Sequence, residues 1–327
     1  MAEKRFSRRS IIATLGSAVL ARSAAAVAQQ TRPTRRIGVL MTIANDHEGR
    51  ARMAAFRSGL AGQGWIDGRN LQIDFCWTDG DHSRISPCAA QLVRSAPDAI
   101  LASTPPALTA LRQETNTIPI VFVQVAKSFA DAAHPKGNVT GSAGFEESVG
   151  GKWIQFLHEI APRVRRVGVL VDPEIVTQRG WIPAIQTAAQ SYHLEVTILD
   201  GSTVQKIESS IDGFAGASNG LIVLPSPPSV VKRKLVIALA AKNKLPAIYT
   251  YRFFVADGGL ISYGNDVYQA YRGAGTQIGR ILHGTPIRDL PVLTPIKLEL
   301  AINLRTAKAL GLKVPRELII QADKVIE

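Results

Sequence analysis

The chain carries the same pattern twice. Arg35-Arg36-Ile37-Gly38-Val39-Leu40-Met41 recurs 130 positions later as Arg165-Arg166-Val167-Gly168-Val169-Leu170-Val171. Two further landmarks follow in the same order. Ser103-Thr104-Pro105-Pro106 is echoed by Pro225-Ser226-Pro227-Pro228, and Ile118-Pro119-Ile120-Val121 by Leu245-Pro246-Ala247-Ile248. One such match arises easily by chance. Three in register, offset by about 120 to 130 residues, point to two similar lobes of about 120 residues each.

The segments between the landmarks fix the class of those lobes. Short runs rich in Val, Ile and Leu at 37–42, 71–76, 99–102, 120–125, 167–171, 195–199, 221–224, 247–250 and 260–262 predict strands. They lack clean alternation, as expected of parallel strands covered on both faces. Amphipathic stripes lie between them: Trp153, Phe156, Leu157 and Ile160; Trp181, Ile185, Ala188 and Tyr192; Val267, Ala270, Tyr271, Ala274, Ile278 and Ile281. Alternating strands and helices predict an α/β fold of two similar lobes, each a mostly parallel sheet flanked by helices. A cleft between the lobes is the expected ligand site, since ligands bind beyond the carboxyl ends of open α/β sheets.

At 327 residues the chain has room for two domains. Residues 1–28 read as an export signal: Lys4, Arg5, Arg8 and Arg9, then the apolar run 11–21, then the small-x-small end Ala26-Val27-Ala28. The apolar run is too short to span a bilayer. Ser7-Arg8-Arg9-Ser10 is similar to a twin-arginine motif, and Ile11 stands where that motif usually has Phe, so the twin-arginine and general routes both stay open. Removing residues 1–28 takes the net charge from +12 to +8. The basic residues are spread, without a stripe interleaved with aromatics, which argues against a nucleic-acid partner. No membrane span is expected in the mature chain. Cys76 and Cys88 are the only cysteines. An oxidising compartment permits a disulfide, but Cys88 shares a helix face with Ile85, Ala89 and Leu92, which favours a buried thiol. The six scattered histidines show no metal-ligand spacing, and neither metal nor cofactor is expected.

The repeated Ser/Thr-Pro-Pro elements lie at the ligand edge. Thr104 is placed to cap a helix starting at Pro105, and Ser226 one starting at Pro227. Free N–H groups at a helix start suit a carboxylate or phosphate. Ser103 and Thr104 are therefore expected to form an anion subsite without any Arg. Simple capping is the alternative for each element. Tyr249 ends the strand 247–250 and is placed either to pack on the ligand or to serve in ordinary strand-end packing.

Over nearly all of its mature length the chain resembles the periplasmic substrate-binding proteins of ABC importers, in the branch that includes tryptophan- and tyrosine-binding proteins. The resemblance rests on Ile37-Gly38-Val39-Leu40, Ser103-Thr104-Pro105-Pro106-Ala107-Leu108, Ile118-Pro119-Ile120-Val121-Phe122 and Gly137-Asn138-Val139-Thr140-Gly141. Pro246-Ala247-Ile248-Tyr249, Gly258-Gly259-Leu260-Ile261-Ser262-Tyr263-Gly264 and Leu304-Arg305-Thr306-Ala307-Lys308-Ala309-Leu310-Gly311-Leu312 complete it. It implies a type I periplasmic-binding fold whose lobes are joined by three crossings and close over a small ligand. The crossings fall near 141–144, 263–264 and 293–297. One lobe is then 31–141 plus 264–292, and the other 142–263 plus 293–327. The sequence departs from the family at Gln124-Val125-Ala126-Lys127-Ser128, where relatives carry an Asp-Asp-Pro-like turn. It departs again at Val171-Asp172-Pro173-Glu174-Ile175, where they are Asn-Pro-Asn-rich. Both loops face the expected cleft, so the family's ligand is not carried over. Asp172 is placed either to hold a ligand ammonium group or to cap the following helix. With Thr42, Ser103, Thr104, Gln124, Ser226, Tyr249 and Tyr263 it makes up the candidate ligand-binding set.

The resemblance implies a non-catalytic periplasmic protein that takes a small ligand to a permease and its ATPase in the inner membrane; the helix starts make a carboxylate-bearing ligand, an amino acid or an aromatic acid, the expectation, and a monomer is expected. A sensor that reports ligand to a membrane partner would use the same fold. An exported enzyme is the third reading, and little supports it: Gly216-Ala217-Ser218-Asn219-Gly220 matches G-x-S-x-G only in letters, since it leads into the expected strand 221–224 rather than out of one as a nucleophile elbow does, and the chain has no Walker loop or H-E-x-x-H motif.

Overall fold

Nine of the expected strands form, and they fall into two sheets built to one plan. In the computed structural model, which describes residues 34–125, 137–144, 148–294 and 297–327, the first sheet has the order β2-β1-β3-β4-β5. Its strands are β1 (Arg35–Met41), β2 (Leu71–Trp77), β3 (Ala99–Ala102), β4 (Ile120–Val125) and β5 (Val139–Ala143), all parallel. The second sheet contains β6 (Arg166–Val171), β7 (Glu195–Asp200), β8 (Asn219–Val223), β9 (Ala247–Tyr249) and β10 (Ile261–Asn265). Their order, β7-β6-β8-β9-β10, repeats that of the first sheet strand for strand. The sequence repeat is thus a repeat of topology. Two strands extend the second sheet: β11 (Leu298–Asn303), antiparallel to β10, and β12 (Lys324–Ile326), parallel to β11. The expected export signal lies outside the described residues, as do residues 126–128 of the loop after β4.

Both lobes lie in one compact unit, Arg35–Glu327. Helices cover both sheets, as the fully buried β3 and β8 and the buried Ile37–Met41 stretch of β1 require. Helix His47–Ala61, capped by Asp46, follows β1 and packs along helix Val267–Leu282. That pairing brings the polypeptide after β10 back onto the first lobe. Gly59 and Gly275 sit at the crossing, where each backbone touches the other helix. At the end of β5, Ala143 N–H donates to the Leu293 carbonyl and Leu293 N–H to the Gly141 carbonyl, so the end of β5 and the segment that follows helix Val267–Leu282 hold each other.

Three strands went unread in the sequence. β5 is Val-Thr-Gly-Ser-Ala, too short of large apolar residues to stand out. β11 and β12 lie beyond the repeat. The expectation of a buried thiol is overturned: Cys76 of β2 and Cys88 of helix Ile85–Arg94 form a disulfide, with Cα atoms 5.7 Å apart. The helix lies against its own sheet and turns Cys88 toward β2, a separation that a disulfide spans.

Candidate ligand site between the lobes

The carboxyl ends of the two sheets face one another across a narrow, partly open cavity. The first lobe supplies Ile43, Arg52, Thr104, Pro105 and Gln124. The second supplies Ile175, Trp181, Ser226, Pro227, Val230 and Tyr251. The walls are mainly apolar, with a few polar groups converging on the space, the usual composition of a small-molecule site.

The repeated helix starts differ in how they are used. Ser226 caps its helix in a reciprocal box with Ser229, so its hydroxyl is consumed although the residue lines the cavity. Thr104 occupies the matching position before helix Pro105–Glu114, but its hydroxyl makes no cap bond and is buried without a partner. Ser103 is tied down beneath it, where its hydroxyl accepts from Thr42 N–H at 2.9 Å and lies 3.2 Å from the Thr42 hydroxyl. Neither Ser103 nor Thr42 reaches the cavity wall, so the expected Ser103-Thr104 pair is divided.

Gln124 reaches the cavity through a backbone irregularity. It has φ of 60°, and the β4–β5 register shifts between Phe122 and Val125. Bulges of this kind re-aim a side chain beside functional sites. The Gln124 Oε1 accepts from the Tyr251 hydroxyl at 2.6 Å across the interlobe gap, and its Nε2 is buried without a partner. Burial pushes the Tyr251 phenol pKa well above the ordinary value, so it stays a neutral donor.

Two expected residues lie elsewhere. Tyr249 is 1% exposed and stacks on Phe254 at 4.8 Å inside the second lobe. Gly259 packs under its ring, where an added Cβ would come within 2.6 Å of Tyr249 Cε2. The strand end turns this side chain inward, and Tyr251, two residues on, meets the cavity instead. Tyr263 packs edge-on against Phe156 at 5.0 Å, away from the cavity wall.

The main omission of the sequence reading is Arg52. It is 3% exposed, lines the cavity and donates through Nε to Glu48 Oε1 at 2.8 Å. Burial opposes its charge, but Tyr271 and Glu48 beside it more than compensate, and its pKa rises. In sequence it looks like one of several solvated arginines of a surface helix. The available signal was its place in the stripe Glu48, Arg52, Phe56, Gly59, all buried.

Asp172 belongs to a contact between the lobes rather than to the cavity wall. Its Oδ2 meets His82 Nε2 at 2.9 Å, and its Oδ1 accepts from Glu174 N–H. A second interlobe contact joins Arg233 Nη1 to Asp46 Oδ2 at 2.9 Å, with Arg233 Nε on Asp257. The His82 pKa is raised by its hydrogen bond to Asp172, against the opposing effect of burial, with help from the charges of Asp172, Glu174 and Asp81. The stabilisation is therefore fully present below the ordinary histidine value of about 6.5 and is lost as pH rises through the raised value. Between pH 6 and pH 8.5 the protein should lose about 1 kcal/mol more stability than its His82→Gln variant, the size of one charge-assisted hydrogen bond discounted for partial exposure. Urea unfolding at both pH values checks this, and equal losses would mean that His82 carries no coupled proton.

Among the described residues no cluster of three His, Cys, Asp or Glu could hold a metal ion, and no helix is long and apolar enough to cross a membrane. Comparison with known proteins agrees with the architecture. A family model described as ABC transporter substrate binding protein matches residues 36–326. A tyrosine-binding protein of Clostridioides difficile (strain R20291) is 26% identical over 263 residues, covering 79% of this chain and 76% of the relative. The crystal structure of an ABC domain in complex with L-Trp from Streptococcus pneumonia has a TM-score of 0.82 at 22% identity, covering 90% of this chain and all of that one. The ligand-free, open structure of a substrate binding protein with adhesive properties from Clostridium difficile has a TM-score of 0.62 at 24% identity, covering 89% of this chain and 99% of that one. With two lobes of one strand order facing each other across a lined cavity, the chain belongs to the ABC transporter substrate binding protein family.

Proposed function

We infer that the chain is the solute-binding component of an ABC uptake system, exported to the periplasm as a monomer. It captures a small carboxylate-bearing ligand, an amino acid or an aromatic acid, and hands it to a membrane permease served by an ATPase. The observation that carries this reading is the shared cavity: both lobes wall it, and three of the first-lobe residues that line it, Arg52, Thr104 and Gln124, carry buried polar atoms without hydrogen-bond partners. Family membership supports delivery to a permease. The relatives named for tyrosine and crystallised with L-Trp support an apolar, flat ligand body, for which Ile43, Ile175, Trp181 and Val230 offer walls. The lobes, 31–141 plus 264–292 and 142–263 plus 293–327, move as rigid bodies and flex at the crossings near 141–144, 263–264 and 293–297. Removal of residues 1–28 precedes function.

Thermal unfolding with L-tryptophan, L-tyrosine, 3-phenylpropionate and indole-3-propionate tests the reading. A ligand at 100 times its dissociation constant adds about 2.7 kcal/mol of stability. At least one of the four should give a shift of that size and reduce the radius of gyration in solution scattering. No shift with any small carboxylate would overturn it.

A further inference from the structure

Arg52 has the geometry of an anchor held ready. Its Nε donates to Glu48 Oε1 at 2.8 Å, and the other Glu48 oxygen accepts from the Tyr268 hydroxyl at 2.8 Å. Both carboxylate oxygens are thereby used, and the guanidinium is fixed in direction. The rings of Tyr251, Phe253 and Tyr271 stand around it, with centroids 5.6–5.7 Å from its Cζ. Arginine in such a cage keeps its charge yet sheds water. Its Nη2 is buried and has no hydrogen-bond partner in the protein. Thr104 Oγ1 and Gln124 Nε2 share that condition. Three buried side-chain groups able to donate, on three separate elements, therefore line one cavity with nothing to donate to. Buried donors are rarely left in this state, because each forfeits its bonds to water.

We propose that Arg52 binds the carboxylate of the ligand through Nη2, with Thr104 and Gln124 as co-donors, and is the residue that makes the cavity selective for carboxylates. This rests on the reading of the chain as a binding protein for a small carboxylate. The helix start expected to serve alone is a weaker anion site than its sequence promised. Pro105 and Pro106 lack N–H groups, and Ser103 is spent on Thr42. A guanidinium partly neutralised by Glu48 suits a singly charged, planar carboxylate better than a phosphate dianion. Glu48 and Tyr268 act as positioning residues, holding the guanidinium at the cavity wall through its Nε and leaving Nη2 for the ligand.

The test is calorimetry with L-tryptophan, L-tyrosine and 3-phenylpropionate, each against its primary amide, with inorganic phosphate alongside. The parent should bind at least one acid thirtyfold or more tighter than the matching amide. Thr104→Val removes a hydroxyl that has no partner in the protein, so the melting temperature should hold while affinity for the acid falls about tenfold. Arg52→Lys keeps a cation for Glu48 but lacks the second arm. It should weaken the acid at least tenfold and the amide less than twofold. Should Arg52→Lys fail to fold, the Thr104→Val variant and the acid–amide comparison still decide. Acid and amide bound equally by the parent, or Thr104→Val binding the acid as the parent does, would overturn the anchor and leave the binding protein standing. Phosphate bound more tightly than every acid would overturn carboxylate selectivity. No binding of any acid would overturn the carboxylate reading and the anchor together.

Discussion

Replacing Gly59 with alanine is expected to cost about 3 kcal/mol of folding free energy. Gly59 lies where helices His47–Ala61 and Val267–Leu282 cross, and an added Cβ would overlap the Arg272 carbonyl oxygen and stand 3.0 Å from the Thr276 nitrogen. The obstacle is backbone, which cannot rotate away as a side chain can. Overpacking a rigid contact typically costs 1–3 kcal/mol, and the upper end applies where two helix axes must separate. The helix propensity gained by Gly→Ala, about 1 kcal/mol, offsets only part of the larger gross clash. Gly275 on the partner helix is in the same position against Phe56, so Gly275→Ala should behave alike. The consequence reaches the site, because Glu48 and Arg52 ride on the first helix while Tyr268 and Tyr271 ride on the second. Separating the helices lengthens the Tyr268–Glu48 bond and opens the cage around Arg52. Urea denaturation of the Gly59→Ala variant checks the number. A loss below 1 kcal/mol would mean that the crossing tolerates a methyl group and that the glycines are incidental.

What the sequence made legible follows from what repeats and what is periodic. Nine of the ten strands of the duplicated unit are readable because buried parallel strands are dense in Val, Ile and Leu, and the helices because their stripes recur at three and four. β5 was missed because a strand packed against close backbone is built of small residues: an added Cβ at Gly141 would overlap Phe122. The site was legible only in outline. The Ser/Thr-Pro-Pro elements located the two rims of the cavity, and Thr104, Gln124 and Ser226 do line it. Which hydroxyl is spent on a cap and which is open depends on a rotamer, and the sequence records no rotamer. Tyr249 and Tyr251 are two residues apart at a strand end, and which one faces the cavity depends on where the strand stops. Arg52 was hidden because a buried arginine and a solvated one are spelled alike. Only the surrounding stripe of Glu48, Phe56 and Gly59 marks the difference. Asp172 reads in sequence as either a ligand partner or a cap, and its contact with His82 follows from the approach of the first lobe, which local sequence does not encode.

The Trp153→Ala substitution should be the most damaging single change in the second lobe, at about 4 kcal/mol. Truncating a fully buried tryptophan generally costs 3–5 kcal/mol, through lost transfer free energy and the cavity left behind. Trp153 has no exposed surface, and its Nε1 donates to the Tyr263 carbonyl of β10 at 2.8 Å. Removal would therefore also leave that carbonyl without this partner in an apolar setting. The effect should extend to binding by a short route. The Trp153 ring meets Trp181 edge-on, with centroids 5.9 Å apart and planes at 66°, and Trp181 forms part of the cavity wall. With its backing gone, Trp181 gains room to tilt, and the wall that the ligand body packs against is no longer fixed. Ligand affinity should fall about tenfold, the equivalent of 1.4 kcal/mol, beyond any effect of the unfolded fraction. Trp153→Phe separates the two consequences. It keeps a ring behind Trp181 and so most of the affinity, but loses the bond to Tyr263 and some packed volume, at about 2 kcal/mol. Unfolding curves and calorimetry on both variants read stability and affinity independently. If Trp153→Ala lowers stability as expected yet binds as tightly as the parent, Trp181 is held by its other neighbours, and the route from the lobe interior to the cavity wall does not exist.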